Sequence, residues 1–341
     1  MSRPELNKQP CLLSWHRAPL GSPRLQRGVA LILVLWFIVL LGVLALGLSK
    51  VSRNGALVAR QLSGATQARH LAEGAVQLAL ANLLVARDEE RLLADGEAYS
   101  LSFRQGEVEL SVWNESGKID INQADEALLA RLFSALDLSP ERSAALAGAI
   151  ADWRDEDELT RLHGAEDEDY FAAGLPAGAG DRAFTHVTEL RKVLGMSEAI
   201  YQQIASSVTV YSKNQGINPK VAPLLVLLAV SDAEVAGLEH YIKERRRTHR
   251  SDLLAPPVPV IEQSYVAQEG GAIFTFSALA TTEQGARAGV SRVFELLENE
   301  GQTRLKRLDS QDYALSSYTG NGVVERAAQT TEGTDMDVED K

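Results

Sequence analysis

From Val29 to Leu48 the chain runs twenty residues without a charge, and the pattern then changes rather than stops. A helix rises about 1.5 Å per residue, so such a run spans roughly 30 Å, the hydrocarbon thickness of a bilayer. It exceeds a secretory h-region, which is about 7–15 residues long. No proline occurs between Pro23 and Pro140, so nothing forces a helix to end there. Val58, Leu62, Ala65, Ala68, Leu71, Ala75, Ala79 and Leu83 recur every three or four places, with Arg60, Gln67, Arg69, Glu73 and Gln77 between them. That spacing predicts an amphipathic face. One long N-terminal helix is expected, residues 29–48 its membrane half and 49–90 its amphipathic half. A plain anchor followed by a separate helix is the alternative that periodicity leaves open.

The period then shortens to two. Within residues 97–117, "YSLSF" and "VELSVW" flank Gly106 and predict two strands. Residues 258–314 repeat the signal, with "AIFTFSALA", a glycine-containing break and "AGVSRVFELL". Strands at both ends with helices between predict a sheet interrupted by a large insertion.

The insertion restates one helical pattern, first in residues 118–213 and again in 214–250. Ile121-Asn122 leads into a helix with Ala127, Leu128, Leu132 and Leu136 on one face. A Ser139-Pro140 turn follows, then a helix through Leu146 and Ile150 to Trp153. Ile217-Asn218 leads into a helix with Leu224, Leu227 and Leu228, a turn at Ser231-Asp232, and a helix ending in Arg245–Arg247. Between the copies, Thr185 or Thr188 is the candidate N-cap of a further helix and Gly195 its candidate C-cap.

Composition narrows the class. With 341 residues and 45% hydrophobic content, the chain can bury a core in two or more modules beyond the helix. A net charge of −12 makes nucleic acid and anionic lipid poor partners. Residues 1–28 carry Arg3, Lys8, Arg17, Arg24 and Arg27 against Glu5. By the positive-inside rule that end stays in the cytoplasm and the rest crosses the membrane. The single cysteine, Cys11, lies in this piece, so the exported part carries no disulfide.

The densest chemistry is "DWRDEDELTRLHGAEDEDY", residues 152–170. Asp152, Asp155, Asp157 and Glu158 precede His163-Gly164; Glu166, Asp167, Glu168 and Asp169 follow it. Two acidic clusters a hairpin apart can supply the six to eight oxygens that calcium takes; a solvated acidic loop is the alternative. An EF-hand is excluded, because with Asp155 at position one Leu159 and Thr160 fall where a ligand and a glycine are required. His163 has neither a cysteine partner nor a second nearby histidine, which argues against zinc. The six histidines are scattered and no nucleophile elbow or HExxH occurs, so no enzymatic activity is expected.

The helical repeat also raises a rival reading, a membrane-anchored helix-hairpin-helix protein for DNA uptake or binding. Such modules hold phosphate on a Gly-x-Gly hairpin with nearby cations. Here the hairpins, "LDLSPERS" and "AVSDAEV", lack glycine, and residues 120–170 carry fourteen acidic residues against four arginines. That surface repels phosphate.

"RGVALILVLWFIVLL" resembles a type IV pilin-like leader, which implies a prepilin peptidase cut between Gly28 and Val29. Most such subunits carry Glu at the fifth mature position, which here is Leu33. A lone carboxylate in lipid persists only with a partner, and within the family its absence resembles the tip subunit. The leader, "INQADEALLARLFSAL", the acidic stretch, "FTHVTELRKVLGM" and "INPKVAPLLVLLA" occur in the order of general secretion pathway protein K, the large minor pseudopilin family of bacterial type II secretion. The resemblance covers roughly residues 25 to 310. It implies an α+β fold: a pilin-like long N-terminal helix packed on an antiparallel sheet, with a large inserted α-helical domain that is SAM-like or helix-hairpin-helix-like. It implies a single-pass inner-membrane protein with its C-terminal domain in the periplasm and an N-methylated Val29. Its role would be to cap the periplasmic pseudopilus and help start assembly, for export of folded proteins across the outer membrane. Implied partners are the minor pseudopilins I and J, the major pseudopilin, prepilin peptidase and the inner-membrane assembly platform, with no nucleic acid. The family binds calcium, and carried onto this chain that makes Asp152, Asp155, Asp157, Glu166, Asp167 and Asp169 the candidate ligands.

Three features depart from the family. The leader of 28 residues is long, which puts the expected translation start downstream of Met1. Lys220-Val221 stands where the family favours Asn-Thr, with the expected loss of a cap hydrogen bond. The polar, acidic residues 315–341 are expected to be a disordered tail without assigned role.

Overall fold

The computed structural model describes residues 27–85, 91–249, 254–267, 271–299 and 302–314. Most of the expected leader and the expected tail, 315–341, lie outside the described residues. Uninterrupted by proline, the first helix, α1 (Arg27–Val85), runs 59 residues. The chain divides at Arg60 into two units. In the first unit, every side chain from Leu31 to Leu48 is exposed, and this stretch is long and apolar enough to cross a membrane.

In the second unit, α1 buries Ala68, Ala72, Ala75, Val76, Ala79 and Leu80, while Leu71 and Leu83 are half-buried at its flanks. Leu62, expected in the buried stripe, is 65% exposed. The stripe is narrower than the periodicity implied: four alanines with Val76 and Leu80 fill it, and Leu71 and Leu83 lie at its edges. β1 (Asp95–Phe103) and β2 (Gly106–Asn114) then form an antiparallel pair. Val108, Leu110 and Val112 of β2 are buried while Glu107 and Glu109 face water, the period-two signature of a half-buried sheet. Gly106 has φ +155, and a Cβ there would lie 2.2 Å from the Thr281 carbonyl oxygen, so β2 begins where only glycine fits.

The chain leaves the sheet after β2 and enters the helical insertion. β3 (Ile119–Asp120) leads to α2 (Glu126–Ser134), α3 (Pro140–Arg154), α4 (Asp167–Ala172) and α5 (Glu198–Ile204), and β4 (Val208–Thr209) then pairs with β3 in parallel. α6 (Leu224–Val230) and α7 (Val235–His249) complete it. Asp125 caps α2 by accepting from Leu128 N at 2.7 Å. Ser139 caps α3 and Ser197 caps α5 in the same way. One core joins Leu128, Leu132 and Phe133 of α2, Leu146 and Ile150 of α3, Leu190, Ile204, Leu227 of α6 and Leu238 of α7. Residues 187–192 form a 3₁₀ helix capped by His186, not by Thr185 or Thr188. The Glu189 carboxylate decides this, accepting from Thr185 N at 3.1 Å, from the Thr185 hydroxyl and from His186 N at 3.2 Å. Thr185 is thus spent as a donor. Gly195, at φ +82, lies in the turn before α5 rather than at the helix end, where Val193 is the C-cap.

The chain returns to the sheet through β5 (Ile273–Thr282), β6 (Arg287–Asn299) and β7 (Gln302–Ala314). The order is β1-β2-β5-β6-β7, antiparallel throughout. β2 lies directly against β5, with Val108 opposite Ala280 and Asn114 opposite Phe274. One sheet therefore holds the strands from both sides of the insertion. Where the chain leaves and re-enters it, the Asn114 amide donates to the Gly271 carbonyl at 3.0 Å.

Candidate functional site

The acidic stretch begins inside α3. Asp152 is fully buried on the last turn, and the helix ends when Asp155 N–H bonds back to the Asp152 carbonyl. Arg154 points the other way, its guanidinium donating to Ile121 O at 2.5 Å and Ala124 O at 2.7 Å. That anchors the helix end to the turn before α2. Trp153 packs inward, stacked on Phe184 at 5.7 Å and tilted against Tyr170 at 6.0 Å. α3 therefore splits three consecutive residues among three tasks, burying Asp152 and Trp153 and tying down Arg154.

The loop after α3 lies back over it because of two glycines. A Cβ on Gly148 would meet the His163 backbone carbon at 2.7 Å and Gly164 N at 2.8 Å. A Cβ on Gly164 would meet the Asp152 carboxylate oxygen Oδ2 at 1.7 Å. This close approach brings Arg161 onto the acids. Its Nη1 donates to Asp152 Oδ1 at 2.5 Å and also to Asp155 Oδ2, and its backbone N–H donates to Asp152 Oδ2 at 3.3 Å. These bonds hold the Arg161 pKa above its ordinary value.

Glu166, at the start of α4, is only 3% exposed. Its side chain faces the Asp169 N–H in a capping box, but neither carboxylate oxygen makes a well-formed hydrogen bond among the described residues, and the same holds for Asp155 Oδ1. Burial first, and then the charges of Asp152, Asp155, Glu158 and Asp181, push the Glu166 carboxyl up to about 7. The other candidate ligands serve the local backbone. Asp157 is exposed and accepts from Leu159 N at 2.9 Å, Asp167 accepts from Ala179 N at 2.9 Å, and Asp169 accepts from Glu166 N at 3.1 Å. The six expected ligands thus divide: Asp152, Asp155 and Glu166 share one field, while Asp157, Asp167 and Asp169 cap turns. Among the described residues, no three or more His, Cys, Asp or Glu side chains stand as a ready-made metal site. Asp155 Oδ1 and the two oxygens of Glu166 are hard donors of the kind calcium takes, but they come from two side chains and do not by themselves make a metal site. Arg161 is the residue that sequence reasoning missed. Its signal was a lone cation among the carboxylates at 155–158 and 166–169.

The perturbed glutamate makes a pH prediction. The folded chain holds the Glu166 proton more tightly than an unfolded glutamate near 4.5. Its contribution to stability is therefore complete below that value and is lost as pH rises through about 7. In chelator, the wild-type Tm is expected to fall by a few degrees between pH 5 and 8 relative to Glu166→Gln, followed by thermal melting. Parallel curves would mean that Glu166 is hydrated.

Comparison with known proteins gives a consistent answer. The family model for type II secretion system (T2SS) protein K matches residues 105–213, the stretch from β2 through β4 that contains the acidic loop. Type II secretion system protein K of Klebsiella pneumoniae is 27% identical over 255 residues, covering 67% of this chain and 78% of that protein. The Pseudomonas aeruginosa protein of the same name is 27% identical, covering 65% of this chain and 73% of that protein. Dickeya chrysanthemi protein K is 32% identical over a shorter 121 residues, 34% of this chain and 33% of that protein. In fold, the chain is similar to one in the crystal structure of the GspK-GspI-GspJ complex from the enterotoxigenic Escherichia coli type 2 secretion system. The TM-score is 0.51 at 17% identity, covering 76% of this chain and 98% of that one. The family model over residues 105–213 and the relatives aligned along about two thirds of the chain carry one description, and the chain is similar to type II secretion system protein K.

Proposed function

We propose that this chain is the minor pseudopilin that caps the periplasmic pseudopilus of type II secretion and helps start its assembly. The observation that carries the reading is α1 itself. One helix continues from a wholly exposed apolar stretch, Leu31–Leu48, into a stripe buried on an antiparallel sheet. That is the plan of a pilin-like subunit, whose apolar half packs laterally against other subunits once in the membrane. The helical insertion between β2 and β5, SAM-like in its repeat, gives this subunit a bulk that prevents another from adding above it. Leu33 in place of a glutamate removes the group that a subunit above would engage.

On this reading prepilin peptidase cuts between Gly28 and Val29 and the Val29 amine is methylated. The basic flank keeps the leader in the cytoplasm and the C-terminal domain in the periplasm. The partners are minor pseudopilins equivalent to the GspI and GspJ of the similar complex, the major pseudopilin and the assembly platform. Calcium belongs to the same reading. The unpartnered oxygens of Asp155 and Glu166 would contribute to its site, where the ion would supply the positive charge that they lack.

The deciding experiment is the mature N-terminus, by intact mass and N-terminal peptide mass spectrometry of protein from membranes. A chain beginning at methylated Val29 is expected. A start near Ser49 would mean a cleaved secretory signal and remove the anchor on which the reading depends. An intact Met1 would leave a simple anchored protein and overturn it equally.

A further inference from the structure

At the start of β1 one carboxylate meets two guanidiniums. Asp95 Oδ2 accepts from Nε and Nη2 of Arg245 and from Nε of Arg246. One negative charge against two positive ones leaves a positive charge over. Arg245 is buried, and its remaining Nη1 is bound to the Pro219 carbonyl. Arg246 is bound through Nε alone among the described residues, so its Nη1 and Nη2 are left over. It lines a cleft of about 770 Å³ between the β1–β2 pair and the helices α6 and α7. That volume is within the range of ligand sites.

The rest of the cleft is largely apolar. β1 bulges between Asp95 and Ala98, and Gly96 sits in the bulge at φ +82. A Cβ there would lie 1.9 Å from the Trp113 ring, so only glycine lets the indole lie against β1 and form one wall. Pro223 and Leu224 at the start of α6, with Ile242 of α7, form the other. Lys243 also lines the cleft, exposed and without an ion pair among the described residues.

We infer that this cleft binds a carboxylate carried on an apolar group, with the carboxylate on Arg246 beside Lys243 and the apolar group against Trp113, Leu224 and Ile242. The inference goes beyond the pseudopilin reading and does not depend on it. A guanidinium offers paired N–H donors that match the two oxygens of a carboxylate. Asp95 takes the Nε edge of Arg246, which leaves the end-on pair, Nη1 and Nη2, for a ligand. Glu97 and Glu239 also line the cleft and limit the charge it accepts. A single negative charge can sit on Arg246 away from both acids, whereas a dianion such as phosphate meets their repulsion. Two sources carry the required group: the C-terminus of a peptide with an apolar last residue, and a short fatty acid.

The experiment is calorimetric titration of the detergent-solubilised full chain with four probes. These are the peptide acetyl-Gly-Leu-Phe with a free C-terminus, the same peptide as its amide, sodium hexanoate and inorganic phosphate. Binding of the free peptide, of hexanoate or of both is expected, with the amide and phosphate silent at the same concentrations. Binding of the peptide alone assigns the site to chain ends; binding of hexanoate extends it to fatty acids. Arg246→Gln should weaken the binding about ten- to a hundredfold, the range of hydrogen bonds to charged groups. Arg246→Lys keeps the charge without the fork and should fall between the two. Lys243→Gln should weaken it about two- to fivefold, as an exposed point charge does. Thermal melting of the free variants checks folding, which Arg245 supports in each by staying on Asp95. If Arg246 merely supports Asp95, Arg246→Gln lowers the Tm and leaves the carboxylate affinity unchanged, which would overturn the inference. So would equal binding of peptide and amide, phosphate binding as tight as that of the carboxylates, or a wild type that binds neither carboxylate at millimolar concentration.

Discussion

Replacing Asp95 by alanine is expected to destabilise the folded chain by about 3–5 kcal/mol, the cost of removing one partner from a buried ion pair. Asp95 opens β1 and is 1% exposed. Its Oδ2 accepts from Arg245 Nε at 3.1 Å, Arg245 Nη2 at 2.9 Å and Arg246 Nε at 2.8 Å, and its Oδ1 accepts from Glu97 N at 3.0 Å. The two arginines would respond differently to its loss. Arg246 keeps a third of its side chain in water and can turn outward. Arg245 is 6% exposed, its Nη1 bound to the Pro219 carbonyl at 3.2 Å, so its charge stays inside without a counter-ion. Desolvation of that one guanidinium dominates the cost. The pair also fastens α7 of the insertion to β1 of the sheet, so α7 should lose amide-exchange protection before the other helices of the insertion. Arg131–Asp232 is the contrast. With Asp232 98% exposed, its removal should cost about 0–1 kcal/mol. Equilibrium urea unfolding of the solubilised chain measures both. An Asp95→Leu, Arg245→Met double variant should recover much of the loss, because the unpaired charge leaves with the acid. A loss below about 1 kcal/mol for Asp95→Ala would mean that Arg245 already finds water.

None of that pair was visible in the sequence, and the reason is physical. Local periodicity reports which face of an element is apolar, and on that scale the reading was informative. The charge-free run into an alanine-rich helix, the alternation in "VELSVW" and "AIFTFSALA", and the Ser139-Pro140 helix start all follow from residues within a few places of one another. Asp95 and Arg245 are 150 positions apart, and nothing in either neighbourhood names the other. The pairing of β2 with β5 is equally non-local. The cap at His186 escaped for a subtler reason. Ser, Thr, Asp and Asn are the usual caps, but Thr185 is drawn into donating to Glu189, and the choice depends on a competition for one carboxylate. The acidic loop failed in a third way. Its charge density was plain, yet density does not say where each carboxylate turns. Asp157, Asp167 and Asp169 satisfy nearby backbone N–H groups, as short acidic side chains commonly do. Only Asp152, Asp155 and Glu166 are left to act together.

Gly148→Ala tests whether α3 positions those three, and two opposing effects bear on it. In a helix interior alanine is favoured over glycine by about 1 kcal/mol. Gly74 of α1 has nothing within 4 Å of where a Cβ would stand, so Gly74→Ala should stabilise by roughly 0.5–1 kcal/mol. Gly148 sits in the same kind of helix interior, but its Cβ would meet three backbone atoms of His163 and Gly164 at 2.7 to 2.8 Å. Backbone cannot rotate aside as a side-chain tip can, and forcing an extra methyl into a packed site costs about 1–3 kcal/mol. The clash therefore outweighs the propensity gain, and a net loss of about 1–2 kcal/mol is expected. The consequence for the loop is larger than that figure suggests. Relief comes by lifting residues 163–164 off α3, which carries Arg161 and Glu166 away from Asp152 while the rest of the insertion keeps its core. Gly148→Ala should thus keep the far-ultraviolet spectrum of the wild type and lose the contribution of Glu166 to the pH dependence of Tm. If Gly148→Ala instead gains stability as Gly74→Ala does, the loop yields freely to a methyl group. The carboxylates would then be arranged by the loop alone, and α3 would hold only Asp152.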